Sequence, residues 1–230
     1  MHNRMKLVIL VMAATLAGTA CASEPVDWSG WYVGAFGGYL NGKLTSNDPG
    51  HFETTGEFED NSPIAGIQAG LNKQSESGWV FGGELIIPLY LDKGTAVDTL
   101  FFPDADPKVI YEADHKWAIL VGGKAGKPVG KMLVYLFGAL GFANADGKTL
   151  NLDETNAYSP GSEQSANATH LVYQIGAGAD TPVNGTVFMG IRVMAFNSNQ
   201  QQYEMPWNEG ENNNFGLNSL VVQVHGSRRF

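Results

Sequence analysis

Eight stretches of this chain alternate apolar residues with small or polar ones at a period of two: residues 31–45, 64–72, 79–91, 115–126, 131–145, 168–180, 186–198 and 215–230. Period two belongs to a strand whose two faces meet different surroundings. After residue 22 no apolar run approaches the roughly 20 residues that a membrane-crossing helix requires. A helical membrane protein is therefore excluded, but a closed barrel is not, because its strands need only about 10 alternating residues and pair all of their backbone groups. The count is even, as an up-and-down antiparallel barrel requires.

The spacers between these stretches alternate in length. The long ones are residues 46–63, 92–114, 146–167 and 199–214, whereas the short ones read KQSESG, KPVG and TPVNG, with the Gly, Pro and Asn of tight turns. Charge follows the same rhythm. The long spacers hold 18 of the 23 acidic residues and only Lys93, Lys108 and Lys148 among the basic ones, while Glu84 and Asp180 are the acids left in strands. Long acidic loops on one side and tight turns on the other are what a transmembrane barrel presents to the outside and to the periplasm.

Parity assigns the faces. Trp79, Phe81, Leu85, Ile87 and Leu89 share one face of their strand, with Glu84 on the other. Trp117, Ile119 and Val121 oppose Lys116, Leu120 and Lys124; Leu171, Tyr173, Ile175 and Ala177 oppose Gln174 and Asp180; Val187, Met189, Ile191, Val193 and Ala195 oppose Arg192. A lysine or arginine on a lipid face near the midplane costs about 2–4 kcal/mol, so Glu84, Lys116, Lys124 and Arg192 are expected in the lumen, where they can pair. Eight strands enclose an interior that side chains just fill, which predicts a plugged barrel. Residues 131–145 are apolar on both parities, and their faces are not assigned. Trp28, Trp31, Tyr32, Trp79, Trp117 and Tyr173 read mostly as outward or girdle aromatics.

A soluble, lipocalin-like barrel with an apolar ligand inside is the competing architecture. It would turn the charged parity to water, but that parity is sparse and rich in glycine (Gly82, Gly122, Gly176, Gly178, Gly190), which suits a crowded interior better than a solvated surface.

The opening residues carry Arg4 and Lys6, an apolar run from Leu7 to Ala17 and small residues at Ala20 and Ala22, and read as a secretory signal peptide spanning 1–22. The barrel domain is then 23–230, with 23–30 in the periplasm. Gly18 stands where a lipobox would place an aliphatic residue before Cys21, which argues against lipidation. Without the leader the chain has no cysteine, hence no disulfide framework, and its formal charge goes from −9 to −11 with the loss of Arg4 and Lys6. Such an acidic chain is a poor ligand for nucleic acid.

The last strand places Leu220, Val222, Val224 and Phe230 outward and Ser219, Gln223, His225, Ser227 and Arg229 inward, and is expected to close the barrel against the first. Together with the stretch WSGWYVGAFGGY at residues 28–39, this aromatic-ended strand resembles the opacity-protein-like outer-membrane β-barrels, often labelled porin-family or surface-antigen barrels. The resemblance implies an eight-stranded antiparallel up-and-down transmembrane β-barrel in the outer membrane of a Gram-negative bacterium. It implies outer-membrane lipid as surroundings, and a barrel-assembly signal formed by Val222, Val224 and Phe230 that the assembly machinery reads. Members commonly end Tyr-Arg-Phe, whereas this chain ends Arg228, Arg229, Phe230, so a girdle residue is replaced by an arginine that can snorkel toward headgroups. A structural and surface-presenting role is implied, with narrow porin-like permeation as the alternative. The partner of the outer loops is not specified.

No enzyme is expected. His225 and Ser227 have the two-residue spacing of the outer-membrane lipid A deacylases, but they lie near the periplasmic end, and at the outer end Phe196 stands where a base would be needed before Ser198. Neither DADP at 104–107 nor NEGEN at 208–212 has the ligand spacing of a calcium loop, so no metal and no cofactor is expected.

Overall fold

The computed structural model describes residues 26–47, 55–90, 94–98, 109–151, 164–204 and 212–230. The expected leader with Cys21, the DADP motif and most of NEGEN lie outside them. The described residues form β-strands and turns alone: β1 (Gly30–Asn47), β2 (Thr55–Gln74), β3 (Val80–Tyr90), β4 (Gly94–Asp98), β5 (Val109–Val129), β6 (Met132–Asn151), β7 (Gln164–Pro182), β8 (Val187–Ser198), β9 (Gln201–Glu204) and β10 (Asn212–Arg229). Eight of them make the wall, in the order β1-β2-β3-β5-β6-β7-β8-β10, and β10 pairs back onto β1. Every pairing is antiparallel, so the chain is a closed eight-stranded antiparallel barrel. The expected closing strand runs along β1 from Tyr32↔Arg229 to Asn47↔Asn214, and the Phe230 amide donates to the Trp31 carbonyl at 2.9 Å.

The short spacers are turns. Gly130, at φ 62°, joins β5 to β6 in a left-handed conformation that costs glycine no steric strain, and Gly78, at φ 80°, does the same between β2 and β3. The long spacers differ from expectation, because pairing continues into them. The ladder of β1 and β2 runs up to Asn47↔Thr55, and that of β5 and β6 to Val109↔Asn151. Period two marks a contrast between faces, and the antiparallel pairing runs on past the stretches where that alternation is legible.

The polarity of the wall is inverted relative to a water-soluble barrel. Outward side chains such as Val121, Leu136 and Ile175 are 66%, 71% and 67% exposed, while Arg192 and Asp180 are wholly buried. Parity places the apolar sets of β3, β7, β8 and β10 outside as expected. In β6, Leu133, Tyr135, Phe137, Ala139 and Ala143 point inward and Val134, Leu136, Leu140 and Phe142 outward, which settles the strand whose faces the sequence left open.

Three expected placements change. Lys116 is on the outer surface, because β5 carries a one-residue bulge between His115 and Trp117 and the extra residue reverses the parity count at that point. Its ammonium pairs with Asp146 at 3.0 Å. Trp28 and Tyr32, read among the girdle aromatics, are buried inside. Tyr32 belongs to the inward parity of β1 with Phe36 and Leu40, and the segment ahead of β1 folds under the barrel end, where the Trp28 amide donates to Gln74 Oε1 at 3.0 Å.

Candidate functional site

The lower half of the lumen, toward the tight turns, contains a closed network of charges. β3 supplies Glu84, β5 Lys124, β7 Asp180 and β8 Arg192, each inward by parity, and all four are buried. Arg192 binds both carboxylate oxygens of Glu84, with Nη2 to Oε2 at 2.7 Å. The same carboxylate accepts from the Tyr32 hydroxyl of β1. Arg192 Nε donates to the Tyr135 hydroxyl at 2.9 Å, and that hydroxyl donates to Asp180 Oδ1 at 2.9 Å. Lys124 Nζ reaches Asp180 Oδ2 at 3.4 Å, and His225 Nε2 stands 2.9 Å from Asp180 Oδ1.

The network thus holds two carboxylates against two cations, so its formal charge cancels with His225 neutral. Aromatic faces complete it. Lys124 Nζ lies 4.8 Å from the centre of the Tyr32 ring and 5.0 Å from that of Tyr135, and the Arg192 guanidinium carbon lies 4.6 Å from the centre of Phe137. Buried charges are tolerated when paired and fully hydrogen-bonded, and removing one partner of such a pair typically costs about 3–5 kcal/mol.

Glycines make the room. A Cβ on Gly190 would stand 2.2 Å from Asp180 Oδ1 and 2.5 Å from His225 Nε2, and one on Gly70 would stand 2.5 Å from the Tyr32 hydroxyl. Beneath the charges, Phe188 packs edge-on between Tyr32 and Trp28, at 5.6 and 6.1 Å between ring centres. Above them the lumen is mixed, with Phe36, Leu40, Ile64, Ile86, Phe196 and Val221 buried beside Gln174 and Gln223.

Of the four residues expected to share the lumen, the structure brings together Glu84, Lys124 and Arg192 and leaves Lys116 outside. Glu84 pairs with Arg192, and Lys124 pairs with Asp180 instead. Asp180, Tyr32, Tyr135 and His225 complete the network beyond the four expected residues. Asp180 had a legible mark, since it is one of only two acids in the strand segments and shares the inward parity of Gln174. The tyrosines had none, because an inward tyrosine and a girdle tyrosine look alike along the chain. His225 and Ser227 are both buried, and they engage different partners: Ser227 Oγ accepts from Gln68 Nε2 at 3.1 Å while His225 meets Asp180.

No family model and no curated protein sequence matches the chain. Solved structures do. The attachment invasion locus protein Ail of Yersinia pestis is 11% identical over 87% of this chain and 99% of its own, at a TM-score of 0.39. Neisserial surface protein A is 13% identical over 88% and 98%, at 0.39. The outer membrane protein OprG of Pseudomonas aeruginosa is 14% identical over 88% and 96%, at 0.47. These are eight-stranded outer-membrane barrels, the fold that the resemblance at both ends of the chain implies. At such identities the likeness is one of fold alone, and the fold itself rests on the closed ladder described above.

Proposed function

We propose that this protein is a closed-lumen barrel of the Gram-negative outer membrane, exported by the leader at 1–22, that supports the envelope and presents its acidic hairpins to the surroundings. The observation that carries the reading is the inverted polarity of the wall, a band of exposed aliphatic and aromatic side chains around a buried, internally neutralised charge network. Water would have to leave that band exposed at great cost, whereas lipid solvates it. The Val222, Val224 and Phe230 face of β10 is then the segment that the barrel-assembly machinery reads, with outer-membrane lipid as the only partner the wall requires. No part of the reading calls for a cofactor, a metal or catalysis, and the His225 and Ser227 pair serves packing.

Porin-like permeation is the weaker reading, because the paired charges span the lumen from β1 to β10 and the side chains above them leave room for about one water. The test is fractionation followed by gel mobility. A membrane-fraction protein that migrates differently before and after boiling supports the proposal. Recovery in the soluble periplasmic extract with a single mobility overturns it.

A further inference from the structure

We propose that one arc of the lower rim, across the neighbouring strands β10, β1, β2, β3 and β5, binds phospholipids whose headgroups carry net negative charge. The inference deepens the membrane placement proposed above and rests on it. Its starting point is which cations have partners. Lys116 pairs with Asp146, Lys124 with Asp180 and Arg192 with Glu84. Lys73, Lys127 and Arg228 form no ion pair and no hydrogen bond among the described residues, and all three are exposed. Each stands within two residues of its strand's end at the tight-turn side of the barrel, where β2 stops at Gln74, β5 at Val129 and β10 at Arg229.

Register turns all three outward, because directly opposed residues of an antiparallel pair share a face. Lys73 is level with Phe81 of β3, Lys127 with Val134 of β6 and Arg228 with Val33 of β1, and each of those apolar partners is exposed on the outer wall. Aromatic rings accompany the cations. Lys127 Nζ lies 5.2 Å from the centre of the Trp79 ring, which stacks on Phe81, and the Arg228 guanidinium carbon lies 5.6 Å from that of Phe230. Trp31 of β1, 66% exposed, completes the row. On the other arc the outward rim positions Val134 of β6, Thr181 of β7 and Met189 of β8 carry no charge. A girdle that only fixed the barrel's height in the bilayer would have no reason to gather its cations on one side.

What adjoins the cations fixes the chemistry of their partner. Leu71, Leu85 and Val224 are exposed on the same strands farther up the wall, so the partner needs an anionic group at the rim and hydrocarbon alongside the strands. A soluble anion supplies only the first, whereas a phospholipid supplies both. The acids at this end do not satisfy the row: Glu76 lies in the turn after β2 and the terminal carboxylate on Phe230, and neither pairs with any of the three cations. Lys131 and Arg229 line a cleft under the barrel end together with Asp27. A zwitterionic headgroup brings an ammonium that the row repels, so a net anion is preferred. Each lysine or arginine at an anionic bilayer surface favours association roughly fivefold.

The experiment reconstitutes the protein in phosphatidylcholine vesicles with a trace of spin-labelled phosphatidylglycerol or spin-labelled phosphatidylcholine, and electron paramagnetic resonance reads how much of each label is held at the protein surface. The expected result is a several-fold preference of wild type for the phosphatidylglycerol label, lost in K73Q/K127Q/R228Q and retained in K73R/K127R/R228K. The preference also weakens in about 1 M sodium chloride, where screening acts within about 3 Å. K116Q keeps it, since that cation belongs to Asp146. Equal affinity for the two labels in wild type, or a preference that survives the glutamine variant, overturns the inference. If the glutamine variant does not insert, the wild-type preference decides by its salt dependence, and one unmoved by salt overturns the inference as well. Equal affinity together with co-sedimentation on peptidoglycan that the glutamine variant loses gives the cations to that anionic polymer and overturns the lipid partner. Gel heat-shift of the same samples reports insertion separately: a failed membrane reading holds neither label, whereas a failed inference holds both equally.

Discussion

At the scale of single residues, the buried network is where one atom matters most. Glu84→Gln keeps the side-chain shape but leaves Arg192 without a counter-charge in a place water does not reach. It should lower barrel stability by roughly 3–5 kcal/mol, read as an earlier urea midpoint in detergent. An unchanged midpoint would show that the pair does not hold the strands together. Gly190→Ala tests the same network by volume, since the new methyl group collides with Asp180 and His225. A loss of about 1–3 kcal/mol is expected from such overpacking. Gly83→Ala is its control, because a Cβ there meets nothing within 4 Å and should leave the midpoint in place. Parity alone found Glu84, Lys124 and Arg192 as inward charges. Which of them would touch was beyond it, because cross-barrel neighbours depend on the stagger of eight strands.

Among elements, the bulge in β5 is the feature that pattern reading missed. Counting by twos assumes that no residue is extra, and one extra residue at the His115 to Trp117 step carried Lys116 from the expected lumen to the outer surface. There it joins a polar cluster with Asp146, Asn167 and Asn144, at 3.0 Å for the ion pair and 2.6 Å from Asn167 Nδ2 to Asp146 Oδ1. The Asn167 amide, and then the Lys116 ammonium, hold the Asp146 carboxyl below its ordinary range. A carboxyl depressed in the folded state stabilises above its unfolded pKa and loses that contribution as pH falls through and below about 4. Wild type should therefore lose stability relative to D146N on acidification from pH 6 to about pH 3, by less than about 1 kcal/mol because the pair is half-exposed. Parallel pH profiles of the two proteins would remove Asp146 from the account.

For the whole molecule, the closed lumen proposed above has electrical silence as its consequence. Purified protein in planar bilayers should show no steady single-channel steps, because ions entering the lumen meet a floor of mutually paired, buried charges. Regular steps from wild type would refute the closed lumen. The 18 acidic residues in the four long spacers bear on the same scale, because on the orientation proposed above they repel polyanions and anionic surfaces.

The strand count, the alternation of long and short connections and the outward direction of the apolar sets were all present in the amino-acid sequence. Each is a property of a residue and its near neighbours: period two records the two environments of a strand, and glycine or proline marks a turn wherever it stands. Closure of β10 onto β1 followed from the same local grammar, since an aromatic-ended strand needs a partner. What only the tertiary structure decided involves residues far apart in the chain. The choice of Arg192 for Glu84 and of Asp180 for Lys124, the inward turn of Tyr135 and Phe137 from a strand apolar on both faces, and the burial of Trp28 under the floor all depend on how eight strands stagger around a common axis. That stagger is a collective quantity, fixed by closing the ring, and no single strand encodes it.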